Sequence, residues 1–149
     1  MISIALLTAA TWIGGRIGIP PNSCKFVSVA EVTELIGKPV GGGQMSLVDN
    51  PKSLMSSCSY TVNRMPTVIV MVADYPSVAD AKQEFARQRG TASDQKAEPG
   101  IGDSAFWTSA DALSITAVQG QRLATIAIVG GTSALHDRLH SLIAKALAR

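Results

Sequence analysis

Two histidines in the C-terminal part of the sequence, His136 and His140, have the spacing at which two side chains share one face of a helix. Imidazoles spaced in this way can ligate one metal ion, but protein zinc sites supply at least three ligands. The neighbouring sequence contains no His-Glu-x-x-His pattern, and Asp137 points away from the pair on a helical wheel. We therefore predict no metal site and no cofactor, and we interpret the pair as boundary histidines near a helix end, with His136 at the margin of the buried face and His140 further round, toward solvent.

The segment GIGDSAFW, residues 100–107, has the composition of a loop that cradles a phosphate group. Such loops follow a strand and begin a helix. Here the glycines follow a polar loop and precede a predicted strand, which is the wrong order for that function. The segment instead predicts a tight turn, in which Gly100 and Gly102 permit the backbone bend and Asp103 accepts hydrogen bonds from backbone amides.

No local motif indicates a catalytic nucleophile. The serines are many, but none lies in a Gly-x-Ser-x-Gly segment, and the acidic residues are scattered. We therefore predict no catalytic residues. A catalytic triad is assembled in space and leaves no fixed spacing, so a hydrolase with a spatially assembled site is the alternative function.

Trp107 and Tyr75 are the residues that we expect at a ligand or partner surface. Phe106 and Trp107 are adjacent in a predicted strand, so their side chains face opposite sides of the sheet. One of them fills the core, and the other is either covered by a helix or exposed. Large exposed aromatic side chains mark binding surfaces, and packing in the core is the alternative role for Trp107.

The composition fits a single folded domain and argues against nucleic acid as a partner. A chain of 149 residues with 46% hydrophobic residues can bury a substantial core. The net charge is only +2, the basic residues are scattered, and Arg87 and Arg89 form the densest basic pair. Nucleic-acid-binding domains instead carry a basic stripe, often with aromatic residues beside it.

The N-terminal segment is the most biased part of the sequence. Residues 2–15 carry no charge and Arg16 ends the run, which is shorter than the roughly 20 apolar residues of a membrane-spanning helix. Such a run is typical of a secretory signal; a buried N-terminal helix or strand is the alternative. We predict a leader and linker at residues 1–23, one domain at residues 24–149, an extracytoplasmic location, and membrane association through any leader that is not cleaved.

The two cysteines, Cys24 and Cys58, allow two interpretations. An exported chain with two cysteines usually pairs them in a disulfide, and the apolar leader favours this interpretation. The alternative is two buried free thiols that pack as small hydrophobic side chains. Cys58 shares the inward face of a predicted strand with Tyr60 and Val62, which is compatible with either state.

A first helix over residues 29–36 is strongly indicated by its ends. Ser28 and Glu31 form a capping box at its start. Gly37 occupies the left-handed position after its end. Its expected buried face consists of Val29, Val32, Leu35 and Ile36.

The rest of the chain contains two similar halves, each with three strands and then a helix. The helices are predicted at residues 77–89 and from residue 132 to the C-terminus, and the first hairpin is predicted to turn at Met65-Pro66. Short connections make each group of three strands a meander. We therefore predict an α+β domain, in which a duplicated βββα unit forms a six-stranded antiparallel sheet with helices on one face.

Four features occur together in this sequence: a cysteine ahead of VAEVTELIGKPV, a mid-chain CSYTV, a Gly-x-Gly-Asp turn that leads into AFW, and a closing amphipathic helix. With them, residues 24–149 resemble small secreted domains and lipoproteins of bacterial envelopes, many of them actinobacterial. The resemblance implies a Cys24–Cys58 disulfide and an extracytoplasmic location, and it implies no activity. This sequence departs from the lipoprotein members because it lacks a lipobox.

These observations favour binding over catalysis as the function. We predict a non-catalytic domain of the bacterial envelope that acts by binding or scaffolding, with a small molecule or an envelope protein as its partner. An envelope hydrolase with a spatially assembled site is the alternative.

Overall fold

The computed structural model describes residues 18–149, so residues 1–17 of the leader and linker predicted at residues 1–23 lie outside the described residues. Its framework is one antiparallel sheet in the order β1-β2-β3-β7-β6-β5-β4, so the predicted α+β class is confirmed. The strands are β1 (Gln44–Val48), β2 (Leu54–Val62), β3 (Met65–Asp74), β4 (Lys96–Ala97), β5 (Ser104–Thr108), β6 (Ala112–Gln119) and β7 (Arg122–Val129). The helices are α1 (Ser23–Phe26), α2 (Val29–Ile36), α3 (Val78–Thr91) and α4 (His136–Leu147), with a 3-10 turn at Ser133–Leu135 before α4.

The sheet has seven strands, so the prediction of six is wrong. The additional strand, β4, is two residues long and pairs with Phe106 and Trp107 of β5. It lies in the polar segment after α3, where no hydrophobic alternation marks a strand. Its extended conformation comes from pairing with β5, which sequence periodicity does not report.

A row of directly paired residues crosses the whole sheet on one face. From β1 to β4 the row consists of Met45, Cys58, Val70, Ile126, Ile115, Trp107 and Lys96. Directly paired residues share a face, and α1, α2 and α4 pack on this one, which we call the α4 face. The row connects a disulfide cysteine near one edge of the sheet with Trp107 near the other edge.

Helix α3 packs on the opposite face, so the prediction that the helices share one face is wrong. Phe85 of α3 belongs to a second apolar cluster that includes Phe106, Val118 and Leu123 from the sheet. Strands β5, β6 and β7 carry apolar residues on both faces, and each face needs cover. Apart from β4, the strand order is symmetric about the neighbours β3 and β7. Because α3 and α4 lie on opposite faces, the duplicated βββα unit stays a prediction.

The predicted ends of α2 are confirmed. The Ser28 hydroxyl accepts a hydrogen bond from the Glu31 amide at 3.2 Å, and the Glu31 carboxylate accepts one from the Ser28 amide at 2.9 Å. Gly37 ends the helix with a φ of 75°. Val29, by contrast, is 41% exposed, so its predicted place on the buried face is wrong.

The turn between β2 and β3 lies at Asn63 and Arg64, and the prediction of a turn at Met65-Pro66 is wrong. Both turn residues have positive φ, 51° and 66°, as two-residue hairpin loops of the I′ type require. Pro66 is already part of β3, and the register shifts beside it because Thr67 of β3 is an extra residue opposite Tyr60 and Thr61, a β-bulge. The bulge accommodates a residue that has no amide hydrogen to donate.

The disulfide between Cys24 and Cys58 is present, with 5.1 Å between the two Cα atoms. It joins α1 to the buried side of β2. The hydroxyl of Tyr60 donates to the carbonyl of Val27, and Gly43 leaves room for the disulfide because a Cβ atom there would lie 2.5 Å from Cys58 Sγ. These contacts fix the segment that leads into α2 against the sheet.

We expect Cys24→Ser and Cys58→Ser each to lower the free energy of unfolding by about 2–4 kcal/mol. The double variant should be no less stable than either single variant, because all three lack the same bond. Urea unfolding measures this, and wild-type protein in reductant serves as the control that should match the variants. Unchanged stability in the single variants would show that the bond does not hold α1 on the sheet.

Candidate functional site

Helix α4 presents one side to the sheet and the other to solvent. Its buried residues recur every three or four positions, as in an amphipathic helix that packs on a sheet; they are Leu139, Leu142, Ile143, Ala146 and Leu147. His136 and His140 lie beside this buried side, next to the segment that follows β4. The predicted position of His136 at the margin of the buried face is therefore correct, and His140, expected further toward solvent, is somewhat more exposed than His136. Their partner was not predicted.

That partner is Glu98, a carboxylate that is only 7% exposed. Its backbone amide donates to the carbonyl of Ala105 at 2.9 Å, which continues the pairing of β4 with β5. One carboxylate oxygen of Glu98 accepts a hydrogen bond from His136 Nε2 at 2.8 Å, and the other bonds His140 Nδ1. The histidine spacing therefore lets one carboxylate bind two successive turns of α4.

Trp107 lies beside these residues, and we call Glu98, His136, His140 and Trp107 the histidine cluster. Its ring lies 4.6 Å from the ring of His136, measured between centroids, and Lys96 Nζ lies 5.0 Å from its centroid. Trp107 is half-buried on the α4 face, and Phe106 is buried on the α3 face, so the predicted opposite orientation of the two aromatic residues is correct.

The environment of His136 raises its pKa above the ordinary value. Burial of the imidazole works against protonation, but the hydrogen bonds that its N–H groups donate to Glu98 and Asp137, together with the charges of these carboxylates, outweigh it. Protonation of His136 therefore strengthens the attachment of α4 to the segment after β4.

A second carboxylate, Glu31 of α2, binds the other end of α4. Its oxygens accept hydrogen bonds from the Arg149 guanidinium, and Lys145 Nζ lies 3.2 Å away. The Arg149 hydrogen bonds, opposed by burial and assisted by Ser28 and Lys145, lower the pKa of Glu31 to about 2. Glu31 thus joins α2 to the end of α4 as an ionised group throughout the neutral and mildly acidic range.

Between α2 and α4 lies a groove of about 540 Å³ on the outer side of the two helices. Buried Leu35 and Leu142 form its apolar floor. Its rim is charged and polar: Glu31 and Glu34 from α2, and Asp137, Arg138, Ser141 and Lys145 from α4. Asp137 connects the groove to the histidine cluster, since its carboxylate lies 3.2 Å from His136 Nδ1.

The second aromatic residue predicted for a binding surface, Tyr75, lies elsewhere. It is 5% exposed and packs in the apolar cluster under α3. It lines a depression of about 410 Å³ together with Pro51, Pro76 and charged residues of α3. Trp107 and Tyr75 lie on opposite faces of the sheet, so the structure does not bring them together in one surface.

The glycine-rich segment forms the turn that its sequence indicates. Gly100 and Gly102 have φ of 84° and 54°. Asp103 Oδ2 accepts a hydrogen bond from the amide of Gly120 at 2.8 Å, and the Asp103 amide donates to Val118. Asp103 therefore connects this turn to the β6–β7 turn rather than capping its own loop.

In the part of the chain that the structure describes, the side chains bonded to the His136 and His140 rings are carboxylates, and none is a hydroxyl. Within residues 18–149, no group of three or more His, Cys, Asp and Glu side chains is arranged to hold a metal ion. In the same residues, the hydrogen bonds of the His136 and His140 rings go to Glu98 and Asp137. No helix in this part of the chain has the length and apolar character needed to cross a membrane.

We expect Glu31→Gln to lower the free energy of unfolding at neutral pH by about 1–2 kcal/mol, because glutamine preserves the capping box but loses the charge that pairs with Arg149 and Lys145. The pKa of Glu31 falls from 4.5 to about 2 on folding. The contribution of the charge is therefore complete above pH 4.5 and is lost as the pH falls towards 2.

Urea unfolding at a series of pH values measures this effect. Glu34→Gln, on the exposed side of the same helix, is the matched control and should change stability by no more than about 0.5 kcal/mol. Equal losses in the two variants, or a Glu31→Gln effect that is the same at all pH values, would contradict the assignment.

No model of a known protein family matches the sequence, and no curated protein matches it. Among solved structures, the extracellular domain of PknH from Mycobacterium tuberculosis is similar to this chain, with a TM-score of 0.48 and 10% sequence identity. The similarity covers 87% of this chain and 98% of the PknH domain.

Proposed function

We propose that the chain is a non-catalytic binding domain that works outside the cytoplasm, and that it binds its ligand or partner in the groove between α2 and α4. The groove itself is the observation that carries this proposal. Its volume, about 540 Å³, falls in the range of small-molecule sites, which combine an apolar floor with a few polar groups. Leu35 and Leu142 supply the floor, and the rim supplies the polar groups.

The disulfide supports the extracytoplasmic location. Structural disulfides persist in oxidising compartments and are rare in the bacterial cytosol. The Cys24–Cys58 bond lies against the core of the domain and joins α1 to the sheet, which is a structural role rather than a redox role. The apolar leader and the resemblance to actinobacterial envelope domains support the same location from the sequence.

The charges on the rim indicate the chemistry of the ligand. Glu31 is engaged by Arg149 and Lys145. Glu34 and Arg138 are exposed and make no ion pair within residues 18–149, so they are available to a ligand. A ligand that fits places an apolar group on the floor and carries charged groups for the rim, as a small amphipathic molecule or a short segment of an envelope protein does.

Ser141→Trp should block the groove without disturbing the core, because Ser141 is exposed on the rim. We expect small aromatic amines and carboxylates to shift the amide resonances of α2 and α4 in the wild-type protein. In Ser141→Trp, the same compounds should no longer shift these resonances. Two-dimensional NMR on labelled protein with an intact disulfide measures both.

Ala86→Trp is the matched control, because Ala86 is exposed on α3 at the other face of the sheet. This variant should bind as the wild type does. Shifts that cluster away from α2 and α4, or that persist unchanged in Ser141→Trp, would overturn the assignment of the groove as the binding site.

A further inference from the structure

The hydrogen bonds of His136 require two protons on its ring. Its Nε2 lies 2.8 Å from a Glu98 oxygen, and its Nδ1 lies 3.2 Å from an Asp137 oxygen. An ionised carboxylate accepts hydrogen bonds and does not donate them, and a neutral imidazole has a single N–H. Both bonds therefore exist together only when His136 is an imidazolium ion.

Loss of one proton from His136 breaks one of these two bonds. The bond to Glu98 is the shorter of the two, and Glu98 is buried while Asp137 is fully exposed. A buried carboxylate left without a donor costs more free energy than one that water can solvate. The neutral ring therefore keeps its N–H on Glu98 and releases Asp137, whose carboxylate lies on the rim of the groove.

We propose that protonation of His136 switches the groove between two charge states. With the imidazolium ion, Asp137 is bound back to the histidine and its charge is compensated. With the neutral ring, Asp137 is free and the rim gains one uncompensated negative charge, so that the groove favours cationic ligands. This consequence for ligands rests on the proposed function of the groove, whereas the switch is a property of the free protein.

Among the described residues, few other charged or titratable groups lie around His136. On α4, the ring centroid of His140 lies 6.5 Å from that of His136, and His140 is hydrogen-bonded to the second oxygen of Glu98. From the sheet, Trp107 covers the ring, and Lys96 lies against Trp107. Both carboxylates that contact His136 favour its protonation and raise its pKa despite the burial of the ring.

An NMR titration of the histidine rings, together with the side-chain carboxyl carbon of Asp137, tests the switch. We expect His136 to titrate above the ordinary value of 6.5, and the Asp137 carbon to shift with the same midpoint. Asp137→Asn and Glu98→Gln should each lower the midpoint of His136. Glu34→Gln is the matched control, since Glu34 lies on the same rim without contacting His136 and should leave the midpoint unchanged.

Two results would overturn the proposal. One is a midpoint of His136 at or below the ordinary value. The other is a wild-type midpoint in Asp137→Asn, which would show that Asp137 does not bond the ring. The titration needs no ligand, so its outcome is separate from that of the groove-blocking experiment, and either proposal can fail while the other stands.

Discussion

Two carboxylates fix helix α4, and the geometry of the groove depends on where that helix lies. Glu98 binds the first turns of α4 through two imidazoles, and Glu31 binds its end through Lys145 and Arg149. The apolar side of α4 covers the centre of the sheet, but hydrophobic attraction has no preferred direction. Charge-assisted hydrogen bonds do have one. The apolar stripe determines which side of α4 faces the sheet, and the two carboxylates fix where along the sheet each end of the helix lies.

The opposite wall of the groove depends on the N-terminal segment. The Cys24–Cys58 bond and the Tyr60 hydrogen bond to Val27 hold the residues just before α2 on the sheet. Glu31 then connects α2 to α4 directly. Both walls are therefore fixed to the same sheet before any ligand binds, which reduces the ordering cost of binding, and the disulfide makes this arrangement suited to an oxidising compartment.

The ends of α2 and the Cys24–Cys58 disulfide were predictable from the sequence, whereas strand β4, the side on which α3 packs and the role of Glu98 were not. The two ends of α2 depend only on residues close in the sequence, and the Ser28–Glu31 capping box and Gly37 identified them. Strand β4 has no periodicity of its own, and the side on which α3 packs is ambiguous because β6 is apolar on both faces. The spacing of His136 and His140 marked them as a pair, but Glu98 lies 38 residues before His136 in a polar segment, where no pattern points to it.

The most direct test of the account is a double-mutant cycle between Glu98 and His136, with Glu98→Gln, His136→Gln and the double variant unfolded in urea. Because the pKa of His136 is raised in the folded state, the contribution of its charge is complete below 6.5 and disappears as the pH rises through the raised value. We predict a favourable coupling energy at about pH 6 that is smaller at about pH 9, where the neutral ring still donates to Glu98 but no longer carries a charge. A coupling energy of zero at both pH values would contradict the claim that this charged contact holds α4 in place.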